Sequence, residues 1–93
     1  MPYIITSYTK ERAKAIGVTV KPSTVKGKKI DVFSRKGEKL ASIGAIGYGD
    51  YPTFVRKRGL EYADSRRRLY KMRHEKDRHK RGSAGYFADK LLW

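Results

Sequence analysis

Residues 29–47 read KIDVFSRKGEKLASIGAIG, and they carry the clearest structural signal in the chain. Ile30, Val32 and Ser34 alternate with Asp31 and Phe33, so one set of side chains faces a core and the other faces away. RKGE, with Gly37 at its centre, reads as a turn, and Leu40 to Ile43 form the returning strand. Two alternating runs around a short Gly-containing turn make a β-hairpin.

Toward the N-terminus the pattern is less regular. Val18 and Val20 alternate as in a half-buried strand until Pro22 interrupts, and 23–29 reads as an exposed basic loop. MPYIITSY, residues 1–8, reads as a short strand. Ser7 or Thr9 is placed to cap a short helix, TKERAKAI, which Gly17 ends in a left-handed conformation.

Toward the C-terminus the glycines at 44, 47 and 49 mark a strand end and a tight turn. They are not a Walker loop, because no GK[ST] follows. Asp50 caps a helix with Pro52 in its first turn, running to Arg58, and Gly59 breaks it. The spacing predicts a long helix from Leu60 to about Lys80, with Gly82 just beyond its end. Ser83 caps a last helix, AGYFADKLLW, whose Tyr86, Phe87, Leu91 and Trp93 supply core. The expected fold is α+β, with residues 1–93 as a single domain. A small antiparallel sheet from about 1–49, with one short helix, packs against a helical, strongly basic half from about 50–93.

Charge bounds the function. There are 23 Lys and Arg against 9 Asp and Glu, a net +14. Residues 51–93 hold 13 basic and 5 acidic side chains, net +8. Such an excess repels itself in a compact state, so a polyanionic partner is the natural expectation. The chain has no cysteine, which removes disulfides and thiol catalysis and fits an intracellular, reducing compartment. No apolar run approaches the ~20 residues that span a bilayer, so membrane insertion is not expected. No secretory signal is read at the N-terminus.

HEKDRH, residues 74–79, resembles the zinc-protease pattern HExxH with one residue too many. Histidines five apart on a helix point about 140° away from each other, so they do not share a metal. No metal, cofactor or catalytic residue is expected. A small metal-dependent nuclease built on His74, Glu75 and Asp77 is the weakest alternative, because such sites gather several carboxylates.

The stronger reading of 60–81 is a cationic helix. Arg66 and Arg73 are nearly eclipsed, Arg67, Lys71, His74 and Arg78 form a second row, and Leu69 and Met72, with Tyr62 or Ala63 above them, form a narrow apolar seam with Tyr70 at its edge. Arg66, Arg67, Lys71, Arg73, His74, Arg78, Lys80 and Arg81 are then the expected phosphate contacts, with Lys26, Lys28 and Lys29 as a second, flexible contact. Tyr48, Tyr51 and Phe54 cluster at the glycine-rich turn, where aromatic rings can stack on bases, although core packing claims most aromatics.

GAIGYGDYPTF (44–54), RRRLYKMRHEKDRH (66–79) and GSAGYFADKLLW (82–93) together resemble a family of small basic proteins encoded by large DNA viruses of algae and protists, the phycodnavirus group and its relatives. The resemblance covers residues 41–93 well and the first half more loosely. It implies a viral source, with the host cytoplasm or nucleus or the virion as location, and carries no mechanism with it.

The function expected is sequence-tolerant nucleic-acid binding. DNA stands ahead of RNA and duplex ahead of single strand, in viral DNA packaging or organisation. The alternative is a minor virion or scaffold protein that binds other proteins, with the terminal LLW as its docking element.

Overall fold

The computed structural model describes residues 3–93, which form an α+β fold with the expected sheet in the first half and most of the helix in the second. Met1 and Pro2 of the expected first strand lie outside the described residues. Its remainder is not a strand: Tyr3–Thr6 is irregular and Ser7 already opens helix α1, Ser7–Ile16. Thr6 is the N-cap, its hydroxyl accepting from the Thr9 amide, and Gly17 ends the helix in the left-handed region.

Three strands follow in sequence order as an antiparallel sheet: β1 Thr19–Pro22, β2 Lys28–Phe33 and β3 Lys39–Ala45. β2 and β3 are the expected hairpin, with Ile30 opposite Ile43 and Val32 opposite Ala41. β1 is the strand expected around Val18 and Val20, and Pro22 is its last residue. It is tolerated there because β1 is an edge strand, where a missing N–H costs no ladder bond. The central strand is buried on both faces. Ile30 and Val32 point into the apolar core, while Lys29 and Asp31 are buried on the other side. Asp31 accepts hydrogen bonds from Ser23 and Ser42 at 2.6 and 2.7 Å and from the Thr24 amide, which ties the β1–β2 loop to the sheet.

Asp50 caps α2, Tyr51–Arg58, by accepting from the Thr53 amide at 3.1 Å. Gly59 separates α2 from α3, Leu60–Arg73, and the two helices pack together. The expected continuation to Lys80 is absent. His74 closes α3, and residues 74–83 fold as turns. Tertiary contacts override a favourable helix propensity here: the turns bring Asp77 against Gly85 and turn Arg78 toward Asp89.

Helix α4, Ala84–Leu92, is capped by Ser83 and buries Phe87, Leu91 and Leu92, with Trp93 beyond it. It packs on both β3 and α1. Its main-chain oxygens accept from α1: Thr9 Oγ1 donates to Leu91 at 2.8 Å, and Arg12 donates to Lys90. Gly44 permits the approach of β3 to α4. Its φ is +76°, and a Cβ there would lie 2.9 Å from Leu92.

Candidate nucleic-acid interface

Helix α3 sorts the basic residues. Its inward side chains are Ala63, Arg67, Tyr70 and Lys71, at the spacing of one helical face. The expected seam is packed only at Ala63 and at its edge, Tyr70, which are buried; Leu69 is 51% and Met72 70% exposed. The row taken for a phosphate-binding face is the one turned toward the interior. Arg67 succeeds there because a guanidinium is planar and makes bonds in a fixed fork. It lies 3.5 Å over the Tyr51 ring, donates to the main-chain oxygen of Trp93 at 2.8 Å and reaches the Tyr8 hydroxyl at 3.1 Å.

Three more expected contacts are engaged inside. Lys71 Nζ donates to the buried Asp89 at 2.8 Å, and Arg78 lies 3.7 Å from the other oxygen of that carboxylate. Lys29 is not part of a flexible arm. It is buried in β2 and paired with Asp50 at 3.0 Å. Asp50 also accepts from the Tyr3 hydroxyl at 2.7 Å. Burial opposes ionisation of Asp50, but Thr53, Tyr3 and Lys29 outweigh it and hold its carboxyl below the usual carboxylate range.

HEKDRH is not helical. Glu75 accepts from Arg78 and His79, each at 2.9 Å, and these bonds lower its carboxyl. His79 stays exposed on that carboxylate. His74 instead turns inward onto the Tyr70 ring, with centroids 4.4 Å apart, and its Nδ1 lies 3.8 Å from Asp77. Among the described residues no group of three or more His, Asp and Glu side chains could hold a metal.

Several of the remaining basic side chains converge. Two adjoining clefts, about 320 and 470 Å³, run between the end of β3, the C-terminal part of α3 and α4, and meet at Tyr70 and His74. Lys28, Arg66, Arg73, His74, Lys76 and Lys80 line this groove. The Lys and Arg side chains among them are exposed, and His74 is half-buried. Asp50 and Asp77 also line it, but Asp50 is neutralised by Lys29. Five of the eleven expected contacts are therefore brought together. Lys26 lies outside the groove in the turn before β2, and Arg81 lies elsewhere, beside Ile16 and Tyr86.

Sequence reasoning missed Lys76, which reaches the groove only because α3 stops three residues before it. It also did not place Trp93 in the groove wall. Trp93 stacks on Tyr70 at 4.5 Å with planes 9° apart, and Phe54 lies 6.0 Å away. Burial and the nearby Asp89 carboxylate push the Tyr70 hydroxyl up to about 12, so it stays neutral near pH 7. Leu91, Leu92 and Trp93 are buried, so the expected LLW docking element is used inside the fold.

Among the described residues no helix is long and apolar enough to cross a membrane. Comparison with protein-family models, with curated proteins and with solved structures gives no match for this chain.

Proposed function

We propose that this protein binds nucleic acid with little sequence preference, through phosphates seated along the basic groove. One observation carries this reading. Lys28, Arg66, Arg73, Lys76 and Lys80 remain exposed on one groove, while the buried carboxylates Asp31, Asp50 and Asp89 are matched by Lys39, Lys29, Lys71 and Arg78. The surplus charge thus faces outward, and multiple Lys and Arg contacts to phosphate give affinity without base readout. Duplex DNA is the first partner to test. With a viral source, the same chemistry serves DNA packaging or organisation.

Fluorescence anisotropy with labelled duplex DNA tests the proposal. Five phosphate contacts give a log–log salt slope of about −4.5, so affinity should fall roughly 10³- to 10⁴-fold between about 50 and 300 mM salt. Binding that stays flat over that range overturns it.

A further inference from the structure

The groove is more than a strip of charge. Its deeper cleft is walled by Phe54, Tyr70 and Trp93, and its lip carries Tyr48, which is 76% exposed. A phosphate alone needs none of these rings. The Tyr48 ring stands in solvent, yet its backbone is fixed, because Lys29 donates to its main-chain oxygen. Arg66 and Arg73, two helical turns apart on α3, also line this cleft, and Lys28 enters from β2.

We propose that this cleft takes one unpaired nucleotide of a single strand, with its base stacked on the exposed Tyr48 ring at the mouth and its phosphate on Arg66, Arg73 and Lys28. This rests on the nucleic-acid reading above and adds to it a preference for unpaired bases. The cleft, at about 320 Å³, lies at the low end of the ~300–1,000 Å³ range of small-ligand sites. A base held in a duplex cannot enter it, whereas an unstacked base offers both ring faces to aromatic side chains. Gly49 lets the turn before α2 approach Phe54 closely. A Cβ there would lie 2.2 Å from the Phe54 ring, so the turn rests directly on that ring.

Trp93 is the chain's one tryptophan and forms part of the wall, so its emission reports occupancy. The experiment titrates the intact protein with a short oligo-dT, with an abasic deoxyribose-phosphate strand of the same length, with a duplex and with free dTMP. Oligo-dT should bind about 10-fold tighter than the abasic strand, since stacking on an aromatic side chain is worth ~1–3 kcal/mol per base. It should change Trp93 emission, and the abasic strand should not. Tyr48→Ala, at an exposed position, should remove most of that difference.

Equal affinity for oligo-dT and the abasic strand, with duplex binding retained, overturns the nucleotide site and leaves the nucleic-acid reading standing. Failure of every polymer to bind overturns both. Saturation by dTMP at the concentrations that suffice for oligo-dT overturns the strand in favour of a free nucleotide.

Discussion

The two faces of α3 use the same side chain for opposite purposes. Arg67 is turned inward, where its guanidinium lies on Tyr51 and bonds to Trp93 and Tyr8. Arg66, its neighbour in sequence, stands exposed on the groove with its guanidinium 5.8 Å from the Phe54 ring. The inner arginine substitutes for an apolar residue by covering an aromatic face and satisfying buried oxygens. The outer one keeps its charge available. Composition counts both alike, and only the helical address separates them.

The sharpest way to break this contrast is to strip an inner cation of its partner. Asp50→Ala leaves the buried Lys29 ammonium unpaired and uncaps α2. It should cost about 3–5 kcal/mol in urea denaturation, a large share of the total for a domain of this size. Lys28→Ala, one residue away but exposed, should stay within about 0.5 kcal/mol. If the two variants prove equally stable, the division into inner and outer cations fails.

Acid probes the same interior. Asp31 is held well below the usual carboxylate range: burial opposes its ionisation, but Ser23, Ser42, the Thr24 amide and Lys39 prevail. Asp50 is lowered as well. A depressed folded-state value means stability that is fully present above the unfolded value near ~4 and lost as pH falls below it. Thermal melts should therefore drop steeply between about pH 5 and pH 2. Asp31→Asn should give a shallower fall over that window, and an unchanged slope would remove Asp31 from the account.

Arg67→Ala should cost about 2–3 kcal/mol, since hydrogen bonds from a charged donor are each worth ~1.5–3 kcal/mol and a guanidinium over a ring adds ~0.5–2 kcal/mol, with partial relaxation. Arg66→Ala should leave the melting curve nearly unchanged and lower the salt slope of DNA binding by about one. Swapped outcomes, with Arg66 structural and Arg67 affecting only the slope, would reverse the assignment of the two faces. The smallest effect belongs to His79→Ala. An exposed pair contributes at most ~1 kcal/mol, so both stability and binding should hardly move.

Much of the fold was legible because local chemistry and tertiary structure agree. The β2–β3 hairpin, the Asp50 and Ser83 caps and the glycine stops at 17 and 59 each depend on nearby residues. The end of α3 was not, because contacts of residues 77 and 78 with α4 decide it. The candidate site was half legible for the same reason. Arg66 and Arg73 share a face by helix period alone. Arg67, Lys71 and Lys29 are drawn inward by Trp93, Asp89 and Asp50, partners 18 to 26 residues distant.

The bonds between α1 and α4 have a consequence for how the chain folds. Thr9 is buried and donates to Leu91, 82 residues later, and Tyr8 reaches Trp93 across 85. The first helix therefore has no completed environment until the last one has been synthesised. Without residues 84–93 the sheet lacks the helix that packs on β3, so completing the fold needs a long-range closure of α4 on β3 and α1. Long-range closures of this kind slow folding relative to local ones.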